Sequence, residues 1–395
     1  MPAGHPDYSL CARPERGALK ILVGGMLGMV LAMGIGRFAF TPILPLMQRD
    51  LAMSNTMAGW LAGLNYLGYL TGAVACSMHP RLLRSRPATG GALVTSIAST
   101  LLMGVTVSPF WWGLLRLGGG LASAVLFIVI SAEVVEALTR RGFVHWVGVL
   151  YGGIGVGIAL SGIMVPQLDR IGGWGGSWIG MGLLAALCAA AGITLGRQRN
   201  LIQAVTLDTS PKTGSLHSIW PLAVAYFFEG LGYIVSATFI VAIIAMTPGL
   251  AAFSPYSWVA TGLAALPSTV LWPQLGRRIG TKRTLLCAFI LQAAGIYVSI
   301  DADTIGAVLF SAIAFGGTFL GIVALTLAEG NRRAPHDSRR ATAILTVCFS
   351  LGQILGPVLA GILADMRAGF ALPLLLATTS IAIGALFIIF DHRYS

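Results

Sequence analysis

Hydrophobic residues along this chain gather into long runs separated by short polar stretches. Twelve such runs cover about 19–47, 56–78, 88–108, 110–136, 145–168, 174–196, 218–246, 256–275, 284–300, 305–328, 341–364 and 370–390. A bilayer core is spanned by ~20 residues of helix. Backbone N–H and C=O groups in hydrocarbon must be satisfied within the segment that carries them, so runs of this length predict helices and not strands. The longest polar connection, near the middle, contains Asp208-Thr209-Ser210-Pro211-Lys212-Thr213-Gly214 and has the composition of a flexible linker. It divides the chain into six helices plus six. The expected organisation is a cytoplasmic tail at 1–17, a bundle at 18–197, a linker at 198–217, a second bundle at 218–390 and a tail at 391–395. No cleavable signal peptide is expected, because the first run is long and holds Arg37 and two prolines.

Charge then orients the runs. If the N-terminus is inside, the inner connections carry 20 Lys and Arg residues and the outer ones only Arg49, Arg170 and Arg367. The remaining two, Arg37 and Arg116, lie within apolar runs. Cytoplasmic loops of membrane proteins concentrate Lys and Arg, so both termini are expected in the cytoplasm and the net charge of +11 needs no nucleic acid. Composition agrees: 56% of residues are hydrophobic and 10% charged, against ~25% charged in soluble domains. Mean hydropathy is +0.83. The 51 glycines suit closely packed membrane helices. The five cysteines are scattered, so neither a disulfide framework nor a zinc site is expected, and no cofactor is.

The halves echo each other. Gly34 and Gly230, Gly36 and Gly232, Arg81 and Arg277, Glu133 and Glu329, and Asp169 and Asp365 are each 196 apart. Gly120 and Gly317 are 197 apart, and Trp60 and Trp258 are 198 apart. These pairs fall in corresponding runs and indicate a duplicated six-helix unit. Two parallel six-helix repeats around a midplane site are the build of a secondary transporter.

The chain resembles a major facilitator superfamily transporter over nearly its whole length. The stretches Gly34-Ile35-Gly36-Arg37-Phe38-Ala39-Phe40-Thr41-Pro42 and Trp60-Leu61-Ala62-Gly63-Leu64-Asn65-Tyr66 are similar to the YbfB/YjiJ-type group. The resemblance implies an all-α integral membrane fold of twelve transmembrane helices in two pseudo-symmetric six-helix bundles. It also implies an inner-loop signature after the second and eighth helices. Pro273-Gln274-Leu275-Gly276-Arg277-Arg278-Ile279-Gly280-Thr281-Lys282-Arg283 keeps the Leu, the second Arg, the Gly and the basic end, but has Arg277 at the acidic position. The other copy keeps mainly Arg81, Arg84 and Arg86. A plain basic inner loop explains the same residues. Arg116-Leu117-Gly118-Gly119-Gly120 resembles the superfamily's Arg-x-x-x-Gly signature, whose Arg is linked to proton coupling or substrate binding. The alternative for Arg116 is an interfacial side chain reaching outward.

Charged groups inside the runs carry the functional expectations. Arg37 lies deep in the first run, where a charged guanidinium needs a partner, a wet cavity or a ligand. Glu229 sits mid-run in the seventh and suits a proton carrier; a static pair with Arg37 is the alternative. Glu133 and Glu329, near the inner ends of the fourth and tenth helices, are expected to pair locally at the gate with the basic residues that follow them, Arg140-Arg141 and Arg332-Arg333. Arg81, Arg277 and Arg278 are the other expected gate residues, with Asp337 and Glu329 as candidate partners of the 8–9 cluster. The candidate substrate site is Arg37, Phe40, Thr41, Asn65, Tyr66 and Arg116 from one half, with Tyr226, Tyr233, Thr238 and Gln353 from the other. The methionines Met26, Met29 and Met33 form a stripe better explained by packing than by a metal path. No phosphate-binding loop is present, which argues against an ATP-driven pump, and no catalytic constellation accompanies His145.

The expected function is therefore alternating-access transport of a small organic anion, coupled to protons. The runner-up is proton-coupled efflux of lipophilic drugs or cations, and a non-transporting membrane sensor is the third reading. The expected partners are a small-molecule substrate, protons and the lipid bilayer. The protein is expected as a monomer in a bacterial inner membrane.

Overall fold

The computed structural model describes residues 12–196 and 216–391. Most of the tail at 1–17 and of the linker at 198–217 therefore lies outside the described residues. The helices are α1 (Ala12–Met29), α2 (Phe40–Leu51), α3 (Asn55–Met78), α4 (Arg86–Met103), α5 (Pro109–Arg140) and α6 (Val147–Gly196). In the second half they are α7 (Trp220–Met246), α8 (Ser254–Ile279), α9 (Thr281–Val298), α10 (Ile305–Arg333), α11 (Ser338–Met366) and α12 (Ala371–Ile389). No strand occurs among the described residues.

Among these residues, eight helical stretches are long and apolar enough to cross a membrane. One of them, Val144–Leu195, is 52 residues long and crosses twice. It reverses at Gly172 and Gly173, where Gly173 has φ +62° and ψ −159°, a conformation that only glycine takes freely. The less apolar α3, α4 and α8 complete twelve crossings in two six-helix bundles. Polar caps start several helices: Ser54, Ser85 and Thr304 accept from the backbone N–H three residues on. Proline occupies the first turn of α5, α7 and α8, where no intrahelical donor is needed. At the basic end α5, α8 and α10 run past their apolar segments to Arg140, Ile279 and Arg333, because intrahelical hydrogen bonds continue once the chain leaves hydrocarbon.

The first apolar run is not one continuous helix. It widens into a π-helix at Val30–Ile35 and turns at 36–39 before α2 begins. The N–H of Gly36 reaches Leu31 O at 2.9 Å, and that of Phe38 reaches Met33 O at 3.1 Å. Pro42 has no N–H to offer the carbonyl of Phe38, and Thr41 N takes that oxygen at 3.3 Å. Arg37 thus sits on a turn between two helical pieces, not within a regular helix as its run suggested. Such π-turns are frequent at functional sites.

The structure also sharpens the repeat. A methyl group added at Gly120 would meet the backbone of Asn65, and one added at Gly316 would meet that of Thr261. Asn65 and Thr261 are 196 apart, so Gly316, not Gly317, is the counterpart of Gly120. Likewise Trp60 is 52% exposed while Trp258 is fully buried. At an offset of 196 Trp60 matches Tyr256, which is 63% exposed. The offset is 196 at both places.

The bundles meet most extensively along α3 with α11 and α6 with α8. Glycines make both seams possible by letting backbones touch. Gly59 abuts Pro357 O, Gly361 abuts Asn55 O, and Gly155 abuts Gly262 O. At one end Asp365 accepts from Asn55 N (3.1 Å), Asn55 Nδ2 (2.9 Å) and Thr56 N (2.8 Å). At the basic end Arg339 Nη2 donates to Ser77 O at 2.5 Å. The halves are joined at both ends, and the middle is enclosed.

Candidate substrate site between the halves

The turn at 36–39 aims Arg37 at α3. Its guanidinium carbon lies 4.5 Å from the Tyr66 ring centroid and 4.4 Å from that of Tyr69. Tyr66 and Tyr69 are three residues apart, hence on one face of α3. Arg37 is 4% exposed, and its Nε and Nη2 have no hydrogen-bond partner. A desolvated cation over an aromatic face gains ~2 kcal/mol, which offsets part of the cost of burial but leaves N–H groups unspent.

Arg116 does not reach outward to the interface. It is 3% exposed, its guanidinium carbon lies 4.7 Å from the Phe40 ring centroid, and Nε donates to Leu61 O at 3.3 Å. Asn65 Nδ2 donates to the carbonyl of Arg116 at 2.9 Å, while Asn65 Oδ1 has no partner. Neither arginine makes an ion pair among the described residues. Two cations thus sit in the N-terminal half, against aromatic faces.

The C-terminal half answers with rings. Tyr233 is nearly parallel to Phe349 (5.4 Å, 8°) and Phe319 (6.0 Å, 9°), and Tyr226 stacks on Phe349 at 4.2 Å. Phe315 continues the array at 5.3 Å from Phe319. Phe38, beside Arg37, touches this array across the interface, 6.1 Å from Phe319. Gln353 Nε2 donates to the Tyr233 hydroxyl. Thr41 Oγ1 donates to Ala237 O at 2.5 Å, joining two residues 196 apart and so marking the pseudo-twofold axis. Thr238 is buried with its hydroxyl unpartnered. The contacts join Arg37 to Tyr66, Arg116 to Phe40 and Asn65, Thr41 to the other half at Ala237, and Tyr226, Tyr233 and Gln353 through one ring array. Among the described residues no such contact ties Thr238 to them. The same contacts add Tyr69 beside Arg37, and Phe38, Phe315, Phe319 and Phe349 in the ring array. The spacing from Tyr66 was the only signal that could have found Tyr69, and nothing local marked the phenylalanines.

Glu229 is fully buried but faces elsewhere. Its Oε1 accepts from Gln292 Nε2 on α9 at 3.4 Å, and Oε2 has no partner. No ion pair joins Glu229 to Arg37 here. One turn of helix carries the carboxylate into the C-terminal bundle, away from the interface. At the basic end Glu329 bonds Arg332 (2.9 Å) and Arg333 (2.6 Å), and Arg333 also reaches Asp391. Asp337 pairs with Arg340 at 3.5 Å. Among the described residues neither acid pairs with Arg277 or Arg278; contacts between the halves near this end include Arg339 with Ser77 and Thr269 Oγ1 with Gly148 O at 2.8 Å. Glu133 is half-buried on α5, and Arg81 lies at the basic end beyond α3.

Two pseudo-symmetric six-helix bundles, enclosing charged and aromatic side chains at their shared axis, define a secondary transporter of the major facilitator type. The chain belongs to the family described as "Uncharacterised MFS-type transporter YbfB", whose profile matches residues 29–389. It is 25% identical to the "Uncharacterized transporter YycB" of Bacillus subtilis, over 87% of this chain and 86% of that one. A shorter stretch, 37% of this chain and 24% of the other, is 25% identical to "Azole resistance protein 1" of Saccharomyces cerevisiae. Among solved structures, the nucleoside transporter NupG superposes with a TM-score of 0.72 at 14% identity, covering 96% of this chain and all of that one. A bacterial homolog of the human lysosomal transporter Spinster, solved inward-facing, gives 0.64 at 13% identity, covering 96% of each chain. The protein is a multi-pass membrane transporter and not an enzyme.

Proposed function

We propose that this transporter moves a small organic anion through the enclosed region between its halves, in exchange for or together with protons. One observation carries the reading: Arg37 is buried, faces two tyrosine rings, and keeps Nε and Nη2 without partners. A buried guanidinium without a carboxylate costs roughly 2.5–3.5 kcal/mol on membrane-insertion scales. A carboxylate substrate would cancel that cost through two parallel charge-assisted hydrogen bonds. Arg116 supplies a second positive charge to the same region.

Glu229 is the proton site in this proposal. An ionised carboxylate among apolar helices is costly, and a proton removes the charge. Its place between α7 and α9 lets protonation bias how α7 packs, without the acid touching substrate. The 20-to-3 distribution of Lys and Arg supports cytoplasmic termini in an inner membrane, and nothing in the fold requires a second copy.

The test is transport in proteoliposomes after a thermal-shift screen of carboxylates, amines and neutral drugs. Arg37→Ala should abolish anion binding, and Arg37→Lys should fail nearly as badly because an ammonium lacks the bidentate fork. Glu229→Gln should keep binding and exchange but lose pH-driven accumulation. Normal transport by Arg37→Ala, with loss of all binding in Glu229→Gln, would instead favour efflux of lipophilic cations. The aromatic array and the partial likeness to an azole resistance protein make that the second reading.

A further inference from the structure

We infer that the C-terminal bundle holds a second binding site, separate from the central one, for a small amphiphilic cation. A cavity of about 310 Å³ lies between the far half of α7, the α9–α10 connection and the start of α10. That is at the lower end of the size range of ligand pockets. Ile240, Ile243, Ile244 and Val308 form its apolar walls. Ser236 and Ser311 also line it, at 1% and 2% exposure, and neither hydroxyl has a hydrogen-bond partner. A helical serine or threonine commonly bonds a carbonyl one turn back, as Thr261 and Thr318 do. Ser236 and Ser311 do not.

The repeat explains why the space exists. At an offset of 196, Ser236 corresponds to Phe40 and Val308 to Trp112. In the N-terminal bundle those two rings are buried, Phe40 stacked 6.3 Å from Trp178 and Trp112 edge-on 5.9 Å from Trp174. The C-terminal bundle keeps the backbone positions and replaces both rings with small side chains. In one copy two buried rings occupy these positions, and in the other a cavity lined with hydroxyls does.

Charge names the ligand. Asp301 and Asp303 are exposed at the mouth and make no ion pair among the described residues. In a chain with a net charge of +11, this pair of carboxylates is a local negative field. An ammonium at the mouth, an apolar body along the isoleucines and a polar atom at the two serines would match the lining from rim to floor. The site shares no residue with the Arg37 cluster. Its floor at Ser236 adjoins Ala237, whose carbonyl accepts from Thr41 across the axis at 2.5 Å. A ligand there would brace α7 beside the contact between the halves. The inference does not depend on the anion reading.

Calorimetric titration of the purified full-length protein with 2-phenylethylamine, 2-phenylethanol and 3-phenylpropanoate tests it. The amine should bind at least tenfold more tightly than the alcohol, and its binding should survive Arg37→Ala. Asp301→Asn with Asp303→Asn, both on the surface, should weaken the amine at least tenfold. Ser236→Phe, which restores the ring of the other repeat, should abolish its binding; Ser311→Leu checks the same volume from α10 should that variant fail to fold. No amine binding to the unaltered protein, equal binding of amine and alcohol, binding untouched by the double Asn variant, or binding lost in Arg37→Ala would each overturn the inference.

Discussion

Asp365 is the last acidic residue of α11, yet its three hydrogen bonds all go to the start of α3 in the other bundle. Two of the donors are backbone N–H groups in the first turn of a helix, where donors are free and the helix dipole favours an anion. Hydrogen bonds to charged groups contribute about 1.5–3 kcal/mol each when sheltered. Asp365 is exposed, so water competes, and we take about 2 kcal/mol for the whole contact. That corresponds to a roughly thirtyfold change in an equilibrium. If the halves part at this end in ~1% of molecules, Asp365→Ala should raise that share to about a quarter. Spin labels at Val107 and Ala252, on opposite halves at this end, would report the change as a second, longer distance. Asp365→Asn keeps one acceptor oxygen and should fall between. A distance distribution for Asp365→Ala that matches the unaltered protein would refute the view that this carboxylate holds the end closed.

Gly59→Val places a side chain against the carbonyl of Pro357, so the same label pair should show the longer distance as the main population, with transport lost and the helical content unchanged. At the basic end, Arg339→Ala removes one exposed bond to Ser77 and should change turnover by no more than about fivefold. Arg278→Ala, with no ion pair to break, should leave turnover within about twofold; a larger fall would mean that the 8–9 loop pairs in another state of the cycle. Single cysteines at Asp50, Asp169 and Asp303 should react with an impermeant thiol reagent on intact cells, and those at Thr213 and Arg278 should not. The reverse pattern would invert the topology.

The twelve crossings were legible because length and apolarity decide them, and those are properties of the string. Arg37 and Arg116 stood out for the same reason: a charge in an apolar run is visible without knowing its neighbours. Facing is not a property of the string. Glu229 and Tyr233 lie about one turn apart on α7, yet one turns to Gln292 inside its bundle and the other to the interface. A helix apolar on all sides has no polar face to show which is which. The break at 30–39 was hidden too. It follows from which carbonyl each N–H chooses near Gly36 and Pro42, and the apolar pattern runs through it unchanged. The Phe315, Phe319 and Phe349 array arises from two helices, so no single segment announces it.

The two copies of the unit also show where packing ends and function begins. Over 33–42 and 229–238, the glycines at 34 and 36 recur at 230 and 232: Gly34, Gly230 and Gly232 lie against the backbone of a neighbouring helix, and Gly36 against the carbonyls of Leu31 and Ala32 in its own turn, so a larger residue would clash at each. Between and beside those glycines nearly everything differs: Met33 faces Glu229 across the repeat, Arg37 faces Tyr233, Phe40 faces Ser236, and Pro42 faces Thr238. These places are buried in both copies at Met33 and Glu229, Arg37 and Tyr233, Phe40 and Ser236, and Pro42 and Thr238. One copy carries fixed positive charge and a turn that presents it. The other has gathered a buried acid, a ring array and a cavity. A transporter built from two identical copies would offer a substrate the same surface from both sides. This one offers a cation on one side and an aromatic wall on the other, so the anion proposed above would have a defined orientation between the halves.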